Sequence, residues 1–435
     1  MNIELFIVRK IAFSSRKNFS AFIIRIAVMA VALSLATMIV ATSLVNGFQK
    51  EIRNKVLSFW SHLEIVPFSL TKSLNDEGIY LYQDFYVNKN LIPEARHIQA
   101  IALKGGLLKT NDEFEGIVLK GVGKDFDWGN LKPYLKEGDS IQTGTEESQK
   151  EILISKATAN RLRLNVSDKV TVSFMGQSIR SRPFRIKGIY ETGLEEFDKR
   201  YAIVDIGLIQ ELNHWGPDTV GGFEVFLQQK NLFKSREKAY ALMMFGGIMN
   251  DETIQEFRRD PLEEIGERVY SRINNPKLDV QTIKSIMPGI FDWLDLQTMN
   301  ELIILTLMII VAAINMITAL LILILERTNM IGILKALGSA NGSIRKIFIY
   351  YSTMIVGLGL FLGNVLGIGI CLAQHHFHLI KLPQESYYLS YAPVDINWWW
   401  ILFLNLGTVT VTLLLLLIPS ALVAKISPVK AIRFE

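Results

Sequence analysis

Four long apolar runs stand out from an otherwise mixed chain: Ile23–Val45, Leu302–Leu325, Ile347–Ala373 and Trp399–Leu422. A bilayer's hydrocarbon core is about 30 Å thick, so a helix needs about 20 apolar residues to cross it. Each run is long enough, and four together argue against buried helices of a soluble fold. The first is longer than the roughly 7–15 apolar residues of a secretory signal. It is also preceded by a segment with its own apolar positions, Ile3, Leu5, Phe6 and Val8. It therefore reads as an uncleaved anchor.

Between the first and second runs the pattern changes. Val170, Val172 and Phe174 alternate along Lys169–Phe174, as in a half-buried strand. Glu151–Ser155, Arg180–Tyr190 and Arg200–Asp205 also read as strands, and Lys156–Leu162 as a short helix. Ile254, Phe257, Leu262, Ile265 and Val269 give Glu252–Ile273 a helical spacing, which Pro261 should kink or split. Asp139–Ser148 reads as an exposed loop. The mixture predicts an α+β domain of about 250 residues, long enough for its own core.

Both borders of this domain look helical. Phe48, Ile52, Val56 and Phe59 continue the first run at spacings of three and four. Ile283, Ile286, Ile290 and Leu294 lead into the second, with a kink expected at Pro288-Gly289. The pattern predicts two stalk helices.

Charge sets the orientation. Arg9, Lys10, Arg16, Lys17 and Arg25 flank the first run, Arg327, Lys335, Arg345 and Lys346 separate the second from the third, and Lys425, Lys430 and Arg433 follow the fourth. Gln374–Asn397 holds only Lys381. Basic residues collect on the cytoplasmic side, so both termini are expected there and the inserted domain is expected to be exported. Trp398, Trp399 and Trp400 fit an aromatic belt at the outer interface.

The expected fold is a membrane protein with four transmembrane α-helices and a large α+β periplasmic domain inserted between helices 1 and 2. The expected segments are a cytoplasmic 1–22, helix 1 at 23–45, the periplasmic domain with its stalks at 46–298, and helix 2 at 299–325. A cytoplasmic coupling segment at 326–346, helix 3 at 347–373, a periplasmic loop at 374–397, helix 4 at 398–422 and a cytoplasmic tail at 423–435 complete the chain. The net charge of +4 is small and largely explained by this bias, so no nucleic-acid partner is expected. The single cysteine, Cys371, falls inside the third run, leaving the exported domain without a disulfide. That composition suits a bacterial periplasm and a multi-pass protein of the inner membrane.

Catalytic signatures are missing. The nearest approach to a phosphate-binding loop is Gly121-Val122-Gly123-Lys124, but Asp125 stands where Ser or Thr must bind magnesium and Val118 replaces the upstream glycine. No G-x-S-x-G, H-E-x-x-H or kinase signature occurs. The chain is therefore not expected to be an enzyme or to bind a cofactor, and ATP and magnesium would belong to a separate ATPase subunit. His375, His376 and His378 lie close together but lack the three or four converging ligands of a metal site.

The runs carry no charge at their centres, which argues against ion-coupled transport. Asn315, Asn364 and Asn405 are expected to form hydrogen bonds between helices. Gly359, Gly363 and Gly367 recur every four residues and leave a smooth face for a neighbouring helix. Between the second and third runs lies a short half-apolar helix tied to a span at each end. Glu326, Arg327, Met330, Ile331, Gly332, Leu334, Lys335, Leu337 and Gly338 are its candidate residues for receiving force from a partner.

With these features the chain resembles the permease subunits of the bacterial lipoprotein-releasing ABC transporter, within a wider group that includes macrolide-export and cell-division permeases. The resemblance rests on Val45-Asn46-Gly47-Phe48 after the first run, Glu115–Val122 with its Leu119-Lys120-Gly121-Val122, and Glu326–Gly338. Its last element is the ending Pro419, Ala424, Pro428, Ala431, Arg433 and Glu435. It implies a cytoplasmic ABC ATPase partner, a second permease subunit (the same chain or another), a lipoprotein substrate and a periplasmic lipoprotein carrier. It further implies that Val40, Asn46, Gly47, Phe48 and Ile304 line a hinge and cavity. One departure is the short Met175–Pro183 turn, where the carrier-recruiting member of the family has an extended loop. The alternatives are export of another amphiphile, or regulation of a periplasmic cell-wall hydrolase.

Overall fold

The computed structural model describes residues 19–69, 78–109, 114–174, 180–228, 260–383 and 387–420. The expected N-terminal cytoplasmic segment, the Met175–Pro183 turn, the first half of Glu252–Ile273 and the C-terminal motif fall wholly or largely outside them. The chain divides into two compact units. One comprises residues 1–51, 292–383 and 389–435, the other 52–291 and 384–388.

The first unit holds the long helices. Helix α1, Phe19–Phe59, is continuous through the first apolar run and its expected stalk. Four more helices follow it among the described residues of this unit. They are α2 at Pro288–Glu326, α3 at Thr328–Ala336, α4 at Asn341–Phe377 and α5 at Trp398–Ser420. Helices α1, α2, α4 and α5 are each long and apolar enough to cross a membrane. Their buried faces meet in a cluster that includes Ala27, Val31, Leu320, Leu323, Ile344, Phe348, Ile355 and Leu416.

Pro288 corrects one expectation. Instead of kinking a helix it begins α2, where its missing N–H costs nothing and its fixed φ suits the first turn. The break lies one residue earlier, at Met287, which ends the short helix Ile283–Ile286. Pro261 stands at the first position of the helix Pro261–Ile273, which is capped by the Asp260 carboxylate accepting from Leu262 N; the expected helical stretch before it lies outside the described residues.

Among the described residues the second unit has twelve strands, ten of them in one sheet. In chain order they are β1 (Leu63–Pro67), β2 (Ile79–Tyr80), β3 (Ala95–Lys109), β4 (Phe114–Val122), β5 (Leu135–Gly138) and β6 (Glu151–Ser155). Then come β7 (Lys169–Phe174), β8 (Arg180–Tyr190), β9 (Tyr201–Asp205), β10 (Thr219–Val220), β11 (Gly222–Leu227) and β12 (Leu278–Thr282). Strands β2 and β10 form a separate pair.

Length explains the topology. Strand β3 has 15 residues and β8 has 11, so each can pair with two strands along one edge. The first half of β3 pairs with β11 and its last residues with β7. The first half of β8 pairs with β7 and its end with β5. The pairings β3–β4–β9–β6–β8–β7–β3 therefore close on themselves, making a ring of six strands. Leu108, Ile117, Leu119, Ile152, Val172, Phe184, Ile186 and Val204 fill it. Strands β11, β1 and β12 branch away from β3 as an extension.

Candidate functional site

Helix α3 follows α2 across a single residue, Arg327, whose backbone is outside the helical range (φ −98°, ψ 17°). The Thr328 hydroxyl donates to the Leu325 carbonyl at 2.6 Å and to that of Ile324 at 3.2 Å, bracing the junction. At the far end Ser339 N bonds the Leu334 carbonyl and Gly338 N that of Lys335, both at 3.0 Å. Gly338 adopts φ +86°. These are the marks of a glycine-terminated helix, with a residue type that enters the left-handed region without penalty.

The two faces of α3 differ. Ile331 and Gly332 are buried, with Ile331 in the helical core and Met330 and Leu334 packed against it. Arg327 is half-buried, and its Nε has no hydrogen-bond partner among the described residues. Ile333 is 50% exposed and Leu337 is 78% exposed. Glu326 and Gly338 are also exposed, and Lys335 is half-buried. The nine candidate residues thus divide into an anchoring group around Ile331 and a presented group around Leu337. Ile333, left out of the candidate set, belongs to the presented group. Its spacing of four from Leu337 was the available signal.

A second constellation surrounds Asn46-Gly47-Phe48 on α1. A Cβ on Gly47 would sit 2.4 Å from the Pro393 carbonyl oxygen, so only glycine allows the following loop to approach this closely. Asp395 N bonds the Ser43 carbonyl, and the Asp395 carboxylate pairs with Lys50 at 2.7 Å. Phe48 meets the Trp293 ring edge-on at 6.3 Å. Gln49 Nε2 donates to Thr298 Oγ1 at 2.6 Å. Asn46 is buried, with its Nδ2 unpartnered among the described residues.

The loop itself is held by Gln374, whose amide donates to the Ala392 carbonyl and accepts from Ile380 N, both at 2.9 Å. Pro393, Asp395 and Gln374 were not legible as site residues, because their roles come from a loop folding back on a distant helix. Val40 is half-buried on α1 and Ile304 is 37% exposed on α2.

The glycine face of α4 lies against α1. Cβ atoms would come within 2.8 Å of Val31 Cβ at Gly359, 2.8 Å of the Ala32 carbonyl oxygen at Gly363 and 3.1 Å of Ala36 Cα at Gly367. Asn364 and Asn405 exchange amide hydrogen bonds of 2.8 and 3.0 Å, joining α4 to α5. Asn315 is half-buried. Among the described residues no group of three His, Cys, Asp or Glu side chains is placed to hold a metal ion.

Comparison with known proteins follows the same division. The model of the MacB-like periplasmic core domain matches residues 26–231, and that of the FtsX-like permease C-terminal domain matches 302–428. The lipoprotein-releasing system transmembrane protein LolC of Neisseria meningitidis is 24% identical, with 97% of this chain and 96% of that protein aligned. The corresponding protein LolE of Haemophilus influenzae is 22% identical, with 99% of each aligned. The crystal structure of the periplasmic region of MacB from Actinobacillus actinomycetemcomitans covers 56% of this chain and 98% of its own, at 13% identity and a TM-score of 0.31. With both domain models matched in order and alignments running nearly end to end, the chain is similar over almost its whole length to lipoprotein-releasing transmembrane proteins, and in its parts to the MacB-like periplasmic core and the FtsX-like permease domain.

Proposed function

We propose that this chain is the permease subunit of an ATP-driven ABC transporter that lifts lipoproteins from the outer leaflet of the inner membrane for transfer toward the outer membrane. The observation that carries this reading is the near full-length similarity to LolC and LolE. The chain has no nucleotide-binding motif of its own, so hydrolysis falls to a cytoplasmic ATPase. Both termini and α3 lie on the cytoplasmic side in this reading, and Ile333, Leu337 and Gly338 form the surface that the ATPase grips.

Energetics constrain the path. A buried methylene contributes ~0.8 kcal/mol, so moving three acyl chains through bare water would cost tens of kcal/mol. The acyl chains therefore pass from one apolar enclosure to another. Two permease subunits form that enclosure between their first and second spans, with Val40 and Ile304 lining it. ATP binding presses on α3, α2 carries the motion outward, the enclosure shrinks, and a periplasmic carrier receives the lipoprotein.

Photo-crosslinking probes at Val40 and Ile304 test this in native membranes. ATP-sensitive adducts to acylated proteins are expected. Adducts to phospholipid and neighbouring subunits alone, from protein still bound to its ATPase, would overturn the lipoprotein pathway.

A further inference from the structure

Lys120, in Leu119-Lys120-Gly121-Val122, is the charged residue of that motif, and its side chain is not part of the ring core. Ile117 and Leu119 point into the ring core, so the two-residue alternation of β4 turns Lys120 to the opposite face. There its side chain is 0% exposed, as is that of Glu224 on β11, and the ammonium meets the carboxylate at 2.7 Å. The same ammonium donates to the carbonyl oxygen of Phe59, the last residue of α1. It also lies 4.8 Å from the ring centre of Phe59 and 4.7 Å from that of Trp60.

Further side chains join the node. Gln99 on β3 donates to the other Glu224 oxygen at 2.7 Å and accepts from Asp127 N at 2.9 Å. Glu64 on β1 stands directly opposite Glu224 in the strand register. The Lys120 ammonium thus meets the Glu224 carboxylate and the negative end of a 41-residue helix that has no basic residue in its own last turn.

A buried ion pair is a poor device for stability alone. Desolvation offsets much of its attraction, and well-packed apolar substitutes are often equal or better. What it supplies is geometry, since few arrangements satisfy every charge and donor at once. We infer that the Lys120–Glu224 pair is a positioning device that binds the end of α1 to β3, β4 and β11, so that displacement of the helix moves the sheet. The inference rests on the ATP-driven reading above and assigns the Leu-Lys-Gly-Val motif to coupling rather than cargo contact.

The test uses the full-length chain with its ATPase, reconstituted in nanodiscs. Lys120→Met alone would leave the buried Glu224 carboxylate without its ion-pair partner, so the informative variant is Lys120→Met with Glu224→Gln. Hydrogen exchange is followed in residues 55–61 and 97–122, with and without ATP. In the unmodified protein, ATP is expected to change exchange in residues 97–122 by about twofold or more. The double variant should keep its ATP turnover and lose that response, while residues 55–61 exchange about tenfold faster.

An ATP response retained by the double variant would overturn the inference, as would none in the unmodified protein. Lipoprotein release is scored separately. If the unmodified complex shows the response but releases no lipoprotein, the cargo assignment falls and the coupling role stands.

Discussion

His62 is built to stay neutral. Burial first, and then the charges of Arg53 and Arg96, lower its pKa from 6.5 to about 4. Its Nδ1 accepts a hydrogen bond from Leu227 N at 3.1 Å, which requires that nitrogen to be unprotonated. The folded state therefore binds fewer protons than the unfolded chain between pH 6.5 and about 4. Stability is complete above the upper value and falls progressively as pH drops through that window. Thermal unfolding of the purified chain should show this slope, and His62→Gln should flatten it. An unchanged slope would mean that other groups dominate acid sensitivity.

Leu337 offers a second test at this scale. It is 78% exposed, so Leu337→Asp disturbs little of the fold. If α3 docks the ATPase through this face, pull-down of the ATPase should fall about tenfold or more with membrane insertion intact. Gly338→Asp is less informative, because an aspartate at φ +86° would strain the helix end before any partner is met.

Among the elements, the long helices were the most legible. A run of 20 or more apolar residues has few other meanings, and the spacing at Phe48, Ile52, Val56 and Phe59 already extended the first helix to its observed end at Phe59. The strands Glu151–Ser155, Lys169–Phe174 and Arg180–Tyr190 were readable with their exact bounds from alternation and apolar content. Their partners were not. The parallel pairs β4–β9 and β6–β8 join segments far apart in the chain, and no local pattern specifies which strands meet. The same holds for the docking of Pro393 on Gly47. A glycine marks a place open to close approach, but not what approaches.

The α1–α4 contact yields an element-level prediction. At Gly363 a new Cβ would meet the Ala32 carbonyl oxygen at 2.8 Å, and backbone cannot swing away as a side chain can. Gly363→Val should destabilise the helix packing by about 2–3 kcal/mol. Gly369 has open space around its added Cβ and serves as the control, since Gly369→Ala should be nearly silent. Detergent-resistance or thermal-unfolding assays would separate the two, and equal loss would place the close contact elsewhere.

For the whole molecule, the proposed role predicts a cellular phenotype. Depleting the chain should trap mature lipoproteins in the inner membrane, whereas normal sorting to the outer membrane would count against lipoprotein release. Redox conditions give a second expectation. Because Cys371 is the sole cysteine and lies in α4, the inserted domain is held by its strand pairing and core alone. Reductant should leave its unfolding temperature unchanged, and a shift would point to an intermolecular disulfide.

The closed ring also limits how an extended polypeptide can be captured. Strand addition needs an open edge with unpaired backbone groups. The ten-stranded sheet ends at β12 and β5, segments of only five and four residues. An extended segment of a client would find little open backbone to pair with among the described residues. A client handled as proposed would be held by side-chain surfaces, which release more readily than a zipped strand.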